Sequence, residues 1–95
     1  MREQKIYGQL AALGKQYAVE KIVLFGSRAR GTNDRKSDID IAVYGCKNFR
    51  GFYFDVNEKV DTLLEFDVVD MDRKGISSEL INEIERDGVL LYEKI

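Results

Sequence analysis

Apolar residues along the chain switch between two periods, and the switches mark the elements. Between residues 3 and 18, Ile6, Leu10, Leu13 and Tyr17 are spaced by four, three and four. That spacing puts them on one face of an amphipathic helix. Lys21 to Phe25 is β-branched and apolar and ends at Gly26, which predicts a buried strand. Ser27 is placed to N-cap a short helix through about Ala29, which Gly31 stops. Thr32 to Ser37 is polar and predicts a loop. Asp38 to Tyr44 alternates at its start, turns apolar and closes at Gly45, a second strand. Residues 46–52 predict a loop carrying Phe49 and Phe52, and Val56, Val60, Leu63 and Leu64 predict a helix over 54–64. Glu65 to Asp70 alternates again, a third strand, and Met71 to Ile76 is a turn region. Ser77 or Ser78 then caps a helix with Leu80, Ile81 and Ile84 inward and Gly88 at its end. Val89 to Tyr92 is a last short strand or a packed tail. The fold class is α/β or α+β: three to four strands with flanking helices in a single domain over residues 1–95.

Composition narrows the chemistry. The 95 residues include no histidine and one cysteine, Cys46. That excludes a Ser-His-Asp triad, a Cys-His pair and a zinc site of the usual ligands. Carboxylates, hydroxyls, amines and a borrowed metal ion remain. Fifteen basic against seventeen acidic residues give a net charge of −2, too balanced for direct, non-specific nucleic-acid binding. No signal peptide and no membrane-length apolar run is visible, so a cytoplasmic protein is expected.

Two short motifs carry the candidate chemistry. Gly26-Ser27 follows the first strand, where a glycine lets a ligand approach the backbone and the next N–H groups suit phosphate. By itself this is an ordinary turn. Asp38 and Asp40 head the second strand, and residues i and i+2 share a face, about 6–7 Å apart along it. An Asp-x-Asp pair alone is most simply two solvated carboxylates. Asp67 in the third strand changes the balance if that strand lies beside the second, because three carboxylates then converge. Asp70 has the opposite parity and is expected to point away. Carboxylates facing a phosphate cradle suit metal-assisted phosphoryl or nucleotidyl transfer, which needs no histidine.

Gly26-Ser27, ten residues, then Asp38-x-Asp40 resembles the signature of the DNA polymerase β-type nucleotidyltransferase superfamily. Gly26 to Gly31 with Ser37 to Asp40, and the tail from Phe66 to Met71 and from Gly88 to Glu93, are similar to the minimal nucleotidyltransferases. The resemblance implies a mixed sheet, two Mg²⁺ ions and ATP as substrate. It implies that Asp38, Asp40 and Asp67 bind metal and serve catalysis, and that Gly26 and Ser27 hold phosphates. Arg30 and Ser37 fall in the motif and are candidate nucleotide contacts. Arg28, Arg35 and Lys36 are expected in a solvated loop, and Asp61, Asp70 and Asp72 in solvated or capping positions. Phe49, Phe52, Tyr53 and Phe54 are expected in the core, with a partner surface as the rival. The resemblance further implies an antitoxin that transfers AMP to a tyrosine of a HEPN-domain toxin. The alternatives are an antitoxin that only occludes its toxin and a small-molecule nucleotidyltransferase. The chain length leaves no room for an acceptor-binding lobe, so a macromolecular acceptor is favoured.

Overall fold

The computed structural model describes residues 2–95. Four strands form one sheet in the order β3-β2-β1-β4. The chain runs α1 (Arg2–Gln16), β1 (Lys21–Phe25), α2 (Gly26–Arg30), β2 (Ile39–Tyr44), α3 (Phe49–Lys59), β3 (Phe66–Asp70), α4 (Ser78–Asp87) and β4 (Val89–Glu93). β1 pairs antiparallel with β2 and with β4, while β2 and β3 are parallel, so the sheet is mixed.

The sheet buries both faces, and its alternation decides which residues go where. Ile22, Leu24, Ile39, Ile41 and Val43 pack with Ile6, Leu10 and Leu13 of α1 and with Phe52 and Val56 of α3. On the opposite face Val23, Phe25 and Ala42 pack with Ile84 of α4, with Leu80, Val69 and Met71 around them. β2 is central and contributes to both layers, which is why its second half reads as a continuous apolar run. Asp40 is a polar residue on the thinner α4 face, at the end of the sheet where β1 finishes and β2 and β3 begin.

Several boundaries differ from the sequence expectation. The stretch expected as a loop over 46–52 is largely helix, and α3 ends at Lys59 instead of reaching residue 64. The Asn48 side chain starts α3 by accepting the Gly51 N–H at 3.1 Å, and Val60 leaves it with extended ψ of 127°. Leu63 is consequently not a core residue but fully exposed. The aromatic cluster divides: Phe52 is fully buried, whereas Tyr53 and Phe54 face solvent. Ser77 caps α4 by accepting the Leu80 N–H, and Ile81, expected inward, is exposed. The tail after Gly88 is a strand. No helix among the described residues is long and apolar enough to cross a membrane.

Candidate active site

The backbone brings Gly26, Asp40 and Asp67 together without help from side chains. Phe25, the last residue of β1, stands opposite Asp40 in the antiparallel ladder. Asp40 stands beside Asp67 in the parallel ladder on its other side. Neighbouring strands lie about 4.8 Å apart, so the two carboxylates rise from adjacent positions on one face. Asp38 lies two residues ahead of Asp40, just outside the observed strand, and is exposed. Asp70 opposes Val43 and belongs to the other parity, as expected. Its carboxylate accepts the Asp72 N–H at 3.0 Å, so it shapes the turn after β3. Asp72 in turn accepts the Gly45 N–H at 2.8 Å, a capping role.

Gly26 is required by both conformation and space. Its φ is +75°, and a Cβ there would run into the Asp40 carboxylate. α2 starts at Gly26 directly after Phe25, with no side-chain cap, so Ser27 is not the N-cap that the pattern predicts. The positive φ of Gly26 supplies the sharp strand-to-helix turn that a capping side chain would otherwise help set. The stop at Gly31 is as expected: φ is +78° and its N–H closes on the Ser27 carbonyl.

The loop before Asp38 is fastened by Arg28, which is not the solvated loop residue expected. Its side chain is 4% exposed and pairs with Glu3 of α1 at 2.7 Å. Its Nε and Nη2 also donate to the Ser37 carbonyl at 3.1 and 2.9 Å. The Ser37 hydroxyl sits in the turn behind it, accepting the Asp34 N–H at 3.0 Å and lying 3.3 Å from the Asp34 carboxylate. Ser37 thus engages residues 28 and 34, and Arg35 and Lys36 remain exposed.

Burial pushes the Asp40 carboxyl up to about 6, with the charges of Asp67, Asp38 and Glu83 adding to it and Arg30 opposing. Residues 9–95 match the family described as Polymerase beta, Nucleotidyltransferase. The chain belongs to this nucleotidyltransferase family. Among curated proteins none matches. Of solved structures, a toxin–antitoxin complex with AMP-PNP contains a chain with a TM-score of 0.71 and 26% identity, covering 93% of this chain and 73% of that one. A variant of a toxin–antitoxin complex designated MntA-HpeT has one with a TM-score of 0.68 and 26% identity, covering 92% and 72%.

This nucleotidyltransferase has an acidic set suited to a hard divalent cation. Among the described residues no three His, Cys, Asp or Glu side chains form a ready-made metal cluster. Asp40 and Asp67, paired across β2 and β3, supply two adjacent carboxylates, the oxygen donors that Mg²⁺ takes alongside phosphates and water. Asp40 is raised first by burial and then by the neighbouring carboxylates, and only the second part is a like-charge cost that a cation would offset. Asp40 and Asp67 would hold such a cation, with Asp38 exposed just ahead of β2.

Glu83 of α4 is the site neighbour that sequence patterning did not find. It holds Arg30 at 3.1 Å and its charge reaches Asp40. It reads in sequence as one more polar position on an amphipathic helix, and only the packing of α4 against α2 brings it to the carboxylates. A groove of about 1160 Å³ lies elsewhere, between the start of α1, the 33–35 turn and residues 57–64. None of Gly26, Ser27, Asp38, Asp40 or Asp67 lines it.

Proposed function

We propose that this nucleotidyltransferase moves AMP from ATP to a tyrosine hydroxyl of a HEPN-type toxin and so acts as its antitoxin. The observation that carries the reading is the register that sets Asp67 beside Asp40, with Gly26 against the Asp40 carboxylate. That arrangement supports a reading in which a triphosphate meets the paired carboxylates and exposed Asp67 meets an incoming hydroxyl. A toxin partner, without its type, is supported by two structural neighbours from toxin–antitoxin complexes, one of them with AMP-PNP.

In the reaction the tyrosine oxygen bonds to the α-phosphorus, the bond to the bridging oxygen breaks and pyrophosphate leaves. Asp67 takes the hydroxyl proton as general base. Asp38 and Asp40 would hold the cation that accompanies the triphosphate, and the Gly26 and Ser27 N–H groups would donate to its β- and γ-phosphates. Arg30 adds positive charge once it is free to turn to the phosphates. Bound Mg²⁺ supplies charge neutralisation and leaving-group stabilisation.

The test combines the protein, Mg²⁺, labelled ATP and the candidate HEPN partner, with intact-mass measurement of the partner. The expected result is an added AMP on a tyrosine, lost in Asp40→Asn. Neutralisation that persists in Asp40→Asn with no mass change would leave an occluding antitoxin instead. Label appearing on a small metabolite, with none on protein, would make it a small-molecule enzyme.

A further inference from the structure

Arg30 is the candidate phosphate contact of α2, yet it is already engaged. Its Nη1 lies 3.1 Å from Glu83 Oε2, and both side chains are about one-third exposed, at 39% and 31%. The pair spans α2 and α4, which pack directly against each other. The next carboxylate on that side of α4, Asp87, accepts Arg86 on Oδ2 at 3.1 and 3.0 Å, and Arg30 reaches it only through its charge, with no ion pair formed. Glu83 therefore brings a carboxylate into the same neighbourhood as Asp40 while neutralising the cation of that neighbourhood.

We propose that Glu83 is a phosphate surrogate: it holds Arg30 while no nucleotide is bound and yields Arg30 to the triphosphate when one arrives. This rests on the reading of the site as a nucleoside triphosphate site. The physical argument is one of competing anions. A carboxylate and a phosphate oxygen are both acceptors for a guanidinium, and the phosphate carries more charge and more acceptor oxygens. An exposed single ion pair is worth little, so it breaks at small cost. Glu83, left behind, faces Asp40 and the phosphates as a like charge, which favours its turning out to solvent. Nucleotide binding then loosens one α2–α4 tie, and Glu83 acts as a positioning residue through Arg30.

The experiment is calorimetric titration of AMP-PNP with Mg²⁺ into wild type, Glu83→Gln, Arg30→Gln and the double variant. Glu83→Gln should bind about three- to five-fold more tightly than wild type, the scale of one exposed ion pair. In the Arg30→Gln background the same change should yield less than half of that gain on a logarithmic scale. A gain equally large without Arg30 would make Glu83 a mere background charge and overturn the proposal. Weaker binding in Glu83→Gln would overturn it too, because Glu83 would then be holding Arg30 in its productive place. Labelled-arginine spectra provide the second reading: the Arg30 Nε–H signal should shift on adding AMP-PNP in wild type. It should start nearer its bound position in Glu83→Gln, and the same starting shift in both proteins would count against release. Absence of any AMP-PNP binding to wild type would sink the nucleotide reading itself, a result distinct from equal affinities in wild type and Glu83→Gln.

Discussion

Two glycines with nearly the same backbone angle separate what conformation requires from what the site requires. Gly26 has φ of +75° and Gly31 has φ of +78°. Alanine at either position meets the cost of the left-handed region, about 1–2 kcal/mol. At Gly31 nothing lies within reach of an added Cβ, whereas at Gly26 the Cβ meets the Asp40 carboxylate. Gly31→Ala should therefore lower the melting temperature and leave nucleotidyl transfer within a few-fold of wild type. Gly26→Ala should destabilise by a comparable or larger amount and also cut transfer by about 100-fold or more, since Asp40 is displaced. Steady-state kinetics at saturating ATP, beside thermal melts, check this; equal kinetic losses in both variants would show that the Asp40 contact is not what matters.

At the scale of elements, the strands were legible and the connections were not. β1 runs from Lys21 to Phe25 as its composition predicts, because an apolar, β-branched run ending in glycine leaves few alternatives. Among the acidic positions, i, i+2 parity relates only Asp38 and Asp40, while Asp67 joins Asp40 through a strand pairing that sequence leaves open. The bounds of α3 escape the pattern because the cue for its start is Asn48, a single polar side chain, while Leu63 and Leu64 mimic one more helical turn. Arg28 is illegible for a related reason: a charge in a polar stretch reads as solvated until Glu3 and the Ser37 carbonyl converge on it. Its guanidinium ties α2 to α1 through Glu3 and to the segment ahead of Asp38 through the Ser37 carbonyl. Arg28→Met keeps the bulk but leaves the Ser37 carbonyl without this donor and Glu3 without its cation. A loss of roughly 2–3 kcal/mol is expected, the worth of hydrogen bonds to a charged group. Arg35→Met, at an exposed position, should stay within about 0.5 kcal/mol of wild type. Urea titrations of the two variants decide whether Arg28 is a structural fastener.

For the whole molecule, the acidic site and the stability of the fold pull against each other, and pH exposes the conflict. Asp40 ionises near 6 in the folded chain, above the ordinary carboxylate value of 3.8 near which the unfolded chain titrates. The folded state therefore holds the Asp40 proton more tightly than the unfolded state. The sign follows: as pH rises from about 4 through 6, Asp40 costs the metal-free fold stability, and above that window the cost is constant. A rise from 3.8 to about 6 corresponds to about 3 kcal/mol, and the partial exposure of Asp40 reduces this to roughly 1–2 kcal/mol. Asp55 works the other way at the far side of the sheet. The Tyr17 hydroxyl, at 2.5 Å, and Lys59 hold its carboxyl below the ordinary value. Its contribution is present at neutral pH and fades only as pH falls through that lowered value. In the window from about 4 to 6 the Asp40 effect should accordingly dominate. Asp40→Asn should melt higher than wild type at pH 7.5 without metal, and the difference should shrink towards pH 4.5. Adding Mg²⁺ with ATP should raise the wild-type melting temperature at pH 7.5 more than that of Asp40→Asn, because bound cation offsets the carboxylate repulsion and ligand binding shifts the folding equilibrium. A pH-independent gap between the two proteins would show that Asp40 does not carry the conflict, and equal ligand shifts would show that it does not share the cation.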